Sequence, residues 1–165
     1  MSFAAQDEAV FTEQVNSLKN RKNFASSSSG ANVLTASSGI FNRQALLSAN
    51  SETYLTVSEC NSERTETLVI NLSDDVLIDT ILVFNREDFS SPLGLISFYG
   101  SIDYPPQDDA WRFLGKLQPE LSFLEGHDGR HLLMVGQQAS SESEESIGQS
   151  MVRYLKVEMT GHERN

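Results

Sequence analysis

The hydrophobic positions change period along the chain. Over residues 6–20, Ala9, Phe11, Val15 and Leu18 fall on one stripe at helical spacing. Asp7 and Glu8 are expected in the first turn and Lys19, Arg21 and Lys22 near the end, the charge order that complements a helix dipole. The spacing predicts a short helix, either an amphipathic cap on a domain end or the tail of a longer helix. Residues 23–38 are rich in Ser, Ala, Gly and Asn and include Ser26-Ser27-Ser28-Ser29-Gly30, so a loop is expected there. Phe24 and Val33-Leu34 are its expected anchors to the core.

From residue 53 onward the pattern is that of strands, expected over 53–57, 66–72, 76–84, 93–101, 110–115, 130–135 and 151–159. In the last of these, Leu155, Val157 and Met159 point inward, and Lys156 and Glu158 outward. Ser73-Asp74-Asp75 and Tyr104-Pro105-Pro106-Gln107-Asp108-Asp109 read as turns. Short strands at roughly 8–12-residue spacing argue for a β-sandwich or jelly roll. No stretch between them has the length of a crossover helix, which disfavours a parallel sheet. Residues 79–91 stand out: a buried-looking strand breaks abruptly into a polar loop holding one aromatic residue, Phe89. Residues 139–149, with Ser-Ser-Glu-Ser-Glu-Glu-Ser, have little to bury and are expected as a mobile surface loop.

The chain's 165 residues suit one domain with a single core, and a hydrophobic fraction of 39% is compatible with a globular fold. A net charge of −11 disfavours nucleic acid and anionic membrane surfaces as partners. It serves solubility, or a partner with a basic surface. The single cysteine, Cys60, has no internal disulfide partner. No run approaches the roughly 18 apolar residues of a membrane span, and the N-terminus lacks the pattern of a signal peptide.

Catalytic and metal motifs are weak. His127 and His131 have the i, i+4 spacing of a metal pair, but Gly126 and Gly129 argue for a turn, and no third ligand is evident. Acidic neighbours Glu52, Glu59 and Glu63 disfavour a reactive Cys60 thiolate. Asp74, Asp75, Asp103, Asp108 and Asp109 sit in expected turns, as solvated acids or as ligands of a hard cation such as calcium. Asn71-Leu72-Ser73 fits the N-glycosylation pattern. No catalytic residue, metal site or cofactor is assigned.

Several segments together resemble SUN-like domains of the SUN-domain ossification-factor type. Lys19-Asn20-Arg21-Lys22-Asn23-Phe24-Ala25-Ser26 resembles the family's opening Lys-Asp-Arg-x-Asn-Tyr-Ala-Ser. Leu68 to Leu72 followed by Asp75 to Thr80 is similar to its strand-turn-strand, and Asn85-Arg86-Glu87-Asp88-Phe89-Ser90-Ser91 to its Asn-x-Glu-x-Phe-Ser-Ser loop. Ser101 to Pro105, Trp111 with Leu114-Gly115, and Arg153-Tyr154-Leu155-Lys156-Val157 match further family segments in order. The resemblance covers most of residues 19–162. It implies an all-β jelly-roll β-sandwich of galactose-binding-like type over 19–165, with residues 1–18 as a helical extension. Where the family carries a cysteine this chain has Ser29, and the expected partner, Cys60, is left single. The family also continues into a last strand. Here the sequence reaches only Gly161-His162-Glu163-Arg164-Asn165, so that strand is expected to be absent, supplied by another chain or replaced locally.

By resemblance the chain is expected to be a non-enzymatic protein-binding module. The implied setting is the endoplasmic reticulum or nuclear envelope, in membrane-protein assembly, quality control or anchoring, with protein partners, membrane proteins among the candidates; without a targeting signal in the sequence, a cytoplasmic or nuclear setting stays open as well. Arg86, Glu87, Asp88 and Phe89 are the expected partner-binding residues, Phe89 serving either as a contact or as a plug beneath the loop. Two alternatives stay open. One is an accessory subunit of a larger complex. The other is a carbohydrate-binding sandwich using Tyr99, Tyr104 and Trp111, although Trp111 is expected in the core.

Overall fold

The computed structural model describes residues 3–50, 52–58, 63–85, 93–119, 129–136 and 151–161. After helix α1 (Phe3–Leu18) come strands β1 (Asn32–Ala36), β2 (Ile40–Phe41), β3 (Thr56–Val57), β4 (Thr65–Val76) and β5 (Thr80–Phe84). They are followed by β6 (Leu93–Ser101), β7 (Arg112–Leu117), β8 (Arg130–Met134) and β9 (Val152–Gly161). A five-stranded antiparallel sheet runs β1-β4-β9-β6-β7, and two-stranded pairs β2-β3 and β5-β8 cover its inner face. The chain is an all-β jelly-roll sandwich with a short N-terminal helix, as its pattern predicts.

Side-chain parity builds the core. Leu68, Ile70 and Leu72 of β4, Ile96 and Phe98 of β6, and Leu155, Val157 and Met159 of β9 all point inward. Leu133 of β8 and Ile40 of β2 meet them from the opposing layer. Gly100 and Gly115 allow close approach between elements. A Cβ on Gly100 would stand 2.5 Å from Val152 Cγ1, and one on Gly115 would stand 2.9 Å from both Leu133 methyls. Val15 of α1 and Val69 of β4 are buried outside this cluster.

Two expectations about elements need correction. Residues 23–38 contain β1, which pairs antiparallel with β4. Its apolar alternation is short and broken by a register shift between Val33 and Thr35, so composition masked it. The expected turn at Ser73-Asp74-Asp75 is an irregularity inside a 12-residue β4. Ser73 takes a left-handed φ of 64°, its amide donates to Asn71 Oδ1 at 2.9 Å, and its hydroxyl donates to the Gly30 carbonyl. Asp75 Oδ1 accepts from Arg153 Nε on β9 at 2.7 Å, so the irregular stretch stays in the sheet. The Asn71 and Ser73 side chains of the glycosylation pattern are both engaged within the fold.

Helix α1 starts at Phe3, which places Asp7 and Glu8 in its second turn rather than its first. Phe11 and Leu18 are half-buried beside Val15 in sequence, while Ala9 is exposed and leaves the expected stripe. Past the helix, Arg21 Nη2 donates to both Asp79 oxygens, at 2.9 and 2.8 Å. Ser29, at the position where the resemblance implies a cysteine, donates its hydroxyl to the Asn23 carbonyl at 2.8 Å and closes the opening loop locally. Cys60 and residues 139–149 lie outside the described residues.

Desolvation pushes the Asp79 pKa up, but hydrogen bonds from the Thr80 side chain and Arg21, with the Arg21 charge, outweigh it and hold the pKa below the ordinary value. A carboxyl depressed in the folded state stabilises the fold above its unfolded pKa of about 3.9. That contribution is lost as pH falls through the folded value. Both side chains are about half exposed, so the pair contributes roughly 0.5 kcal/mol. Arg21→Ala is expected to raise the Asp79 pKa in a carboxyl NMR titration, with no change in melting temperature beyond a few degrees.

Candidate functional site

The face of the five-stranded sheet away from the core carries an aromatic strip. Register places Ser97, Tyr99 and Ser101 of β6 opposite Glu158, Lys156 and Tyr154 of β9, and Tyr99 also pairs with Phe113 of β7. These positions have the parity opposite to Ile96, Phe98, Val157 and Met159, so their side chains leave the core. Tyr99 meets Phe113 edge-on, with ring centroids 5.5 Å apart. Lys156 Nζ lies 4.6 Å from the Tyr99 centroid and 5.2 Å from that of Trp111. Trp111 is 6.3 Å from Tyr104, which is 5.5 Å from Tyr154. The order along the strip is therefore Phe113, Tyr99, Lys156, Trp111, Tyr104, Tyr154.

The lysine is the hinge of this arrangement. Its side chain is 16% exposed, and Nζ pairs with Glu158 Oε1 at 3.2 Å. Ring faces carry negative potential, so a cation between two of them is held by attraction as well as by its carboxylate. Burial, followed by the charge and hydrogen bonding of Glu158, raises the Tyr99 phenol above its ordinary pKa. Tyr99 therefore stays neutral throughout the physiological range. The strip is open to solvent at two of its rings, Tyr104, 37% exposed, and Phe113, 45% exposed.

The loop from Ser101 to Trp111 frames the strip at Tyr104. Its 3-10 turn Gln107–Asp109 holds Asp108 and Asp109 at left-handed φ values of 53° and 54°. The Trp111 amide donates to the Asp109 carbonyl at 2.8 Å, which fixes where the indole enters the strip. The Asp103 amide donates to Ser101 Oγ at 3.2 Å, and the Tyr104–Pro105 bond is cis. Asp103, Asp108 and Asp109 are exposed, and none of them is ion-paired among the described residues.

The expected site residues fall out unevenly. Arg86, Glu87, Asp88 and Phe89 lie outside the described residues, as do Cys60 and His127. His131 is buried on β8 opposite Val83. Among the described residues no three His, Cys, Asp or Glu side chains gather as metal ligands. Tyr99, Tyr104 and Trp111 do come together, but Trp111 is not in the core. It precedes β7 and lies half-buried on the outer face, where Lys156 and Tyr104 cover it. Phe113, Tyr154 and Lys156 were not expected as members of the group. The outward parity of Lys156 with Glu158, and of Tyr99 between Phe98 and Gly100, was the signal that could have found the face.

A second surface feature is a shallow depression of about 430 Å³ lined by Ala36 and residues 40–44. Beside it the Gln44 carboxamide accepts from the Val33 amide at 3.1 Å and donates to its carbonyl at 3.0 Å, occupying the outer edge of β1.

No protein-family model matches the chain. Over 93 residues it is 32% identical to SUN domain-containing protein 4 of Arabidopsis thaliana, a match covering 56% of this chain and 15% of the relative. It is 30% identical over 95 residues to the uncharacterized protein slp1 of Schizosaccharomyces pombe, covering 58% of this chain and 14% of the relative. The matches thus span only 15% and 14% of the lengths of these curated relatives. Among solved structures, allantoicase of Saccharomyces cerevisiae superposes with a TM-score of 0.58 at 20% identity, over 85% of this chain and 40% of that one. The C-terminal domain of a Bacteroides fragilis chitobiase gives 0.51 at 16% identity, over 78% and 79%. A fucosidase of Ruminococcus gnavus gives 0.57 at 12% identity, over 87% and 24%. At such identities the likeness concerns the fold alone, a jelly-roll β-sandwich. The resemblance to SUN-like domains read from the sequence stands in the curated matches. No helix among the described residues is long and apolar enough to cross a membrane.

Proposed function

We propose that the chain is a non-enzymatic protein-binding module whose partner docks on the aromatic strip. The observation that carries this reading is the open strip itself: Tyr104 and Phe113 stand exposed on the outer sheet face, joined by half-buried rings already fixed in place. Preorganised aromatic side chains bind with little further loss of rotamer freedom, which is why such residues dominate protein interfaces. We further propose Arg86, Glu87, Asp88 and Phe89, between β5 and β6, as a second contact. Residues 19–165 would form the binding domain and 1–18 its extension. The resemblance supports a setting at the endoplasmic reticulum or nuclear envelope, in assembly, quality control or anchoring of membrane proteins, including service as an accessory subunit of a larger complex.

A carbohydrate reading draws on the same rings and on the jelly-roll fold. Neighbouring rings are tilted by 61°, 53° and 37°, and Lys156 covers Tyr99 and Trp111, so the strip offers no common plane for a sugar chain. Protein binding is therefore the better reading. The test is affinity capture from cells with the wild-type protein, with Tyr104→Ala/Phe113→Ala, and with Arg86→Ala/Glu87→Ala/Asp88→Ala. The strip variant is expected to lose its specific companions by tenfold or more, since two interface aromatics each contribute about 1–2 kcal/mol. Retention of every companion by the strip variant would remove the site. A glycan-array signal lost in Trp111→Ala would make sugar the ligand instead.

A further inference from the structure

The acidic loop beside Tyr104 and the cation already seated in the strip point to the chemistry of the partner segment. Lys156 shows that the Tyr99 and Trp111 faces hold an ammonium group at 4.6 and 5.2 Å. Beyond Trp111 the strip continues into Tyr104, 37% exposed, with Tyr154 behind it at 5.5 Å. Three exposed carboxylates flank that ring in sequence: Asp103 directly before it, and Asp108 and Asp109 in the turn that leads into Trp111. None has a cationic partner among the described residues, in contrast to Asp75, Asp79 and Glu158, which are paired to Arg153, Arg21 and Lys156. The whole chain carries −11, so the long-range field adds to the local one.

We propose that the Tyr104–Trp111 corner receives a basic peptide segment of the partner, its guanidinium groups stacking on the exposed ring and pairing with Asp103, Asp108 and Asp109. Arginine suits this corner better than lysine, because a planar guanidinium both stacks on an aromatic face and forks to a carboxylate. The inference rests on the protein-binding reading and names the chemistry of that partner.

Trp111 is the chain's only tryptophan, so its fluorescence reports on the corner without a label. The probe is a short oligoarginine peptide titrated into the full chain at low and at high ionic strength. A saturable change in Trp111 emission is expected, weakening steeply with salt. Asp103→Asn/Asp108→Asn/Asp109→Asn is expected to weaken the apparent affinity roughly tenfold. Glu13→Gln/Glu52→Gln/Glu63→Gln removes the same charge from exposed positions elsewhere and is expected to bind as the wild type does. All six substitutions are at exposed positions, so the variants should fold, and their circular dichroism and melting curves check it. No saturable change with oligoarginine, or equal weakening by the two triple variants, overturns the proposal. If oligoarginine fails while Tyr104→Ala/Phe113→Ala still strips the captured companions, only the basic chemistry is wrong. If that strip variant keeps every companion, the protein-binding site itself is wrong.

Discussion

Leu68→Ala is expected to lower the unfolding free energy by about 3–4 kcal/mol, read as a drop in urea midpoint at unchanged slope. Leu68 is 1% exposed on the inner face of β4, a strand bonded on both sides, to β1 through Ala36 and to β9 through Val157. The main chain around the site cannot move inward to fill the space without breaking one of these ladders. Truncation therefore leaves most of its cavity open, and the cavity adds to the lost transfer energy. In a domain of this size the melting temperature is expected to fall by roughly 10 °C. Leu46→Ala, at a position 43% exposed, is the control and is expected to cost under about 1 kcal/mol. Similar losses from the two variants would contradict the placement of Leu68 in the core on an interior strand of the sheet.

The second large effect concerns a carboxylate in the core layer. Glu66 has the same parity on β4 as Leu68 and Ile70 and is 1% exposed. Its carboxylate lies against Gly39, where a Cβ would stand 2.4 Å from Oε1. Arg64 Nε is 2.7 Å from Oε1, near enough for an ion pair but not aligned as a hydrogen bond, and neither oxygen accepts a hydrogen bond among the described residues. The arginine is the compensation for a buried charge, and it reaches solvent with 45% of its side chain exposed. Arg64→Ala leaves the charge uncompensated and is expected to destabilise by about 2–3 kcal/mol, below the range of a fully buried pair because water reaches the arginine. Adding Glu66→Gln to Arg64→Ala removes the stranded charge and is expected to recover more than half of the loss. A double variant no more stable than Arg64→Ala in chemical denaturation would show that charge burial is not the cause.

Both effects help to show what could be read from the sequence. The alternation Leu68, Ile70, Leu72 and the run Leu155, Val157, Met159 gave the inner face directly, because period 2 has one solution once a face is buried. That same parity put Glu66 inside, but its charge argued for the surface, and only the pairing with Arg64 explains the exception. Strand β1 hid among small polar residues because an edge strand with one buried side chain, Val33, leaves too short an alternation to detect. The strip was half legible. Tyr99, Tyr104 and Trp111 were singled out by residue type, whereas their assembly depends on β9 lying between β4 and β6. Sequence order cannot supply that neighbour relation, since β6 and β9 are far apart in the chain. Trp111 was expected in the core on size alone. A large aromatic is also half-buried by a lysine and a tyrosine on the outer face of a sheet.

Hydrogen exchange of the full chain, with and without a captured partner, tests the docking site most directly. Slowed exchange over residues 101–111 in the complex is the predicted result, with Trp111 and Tyr104 inside the footprint. Exchange over 101–111 at the free rate, with protection confined to the 40–47 side of the molecule, would contradict the account.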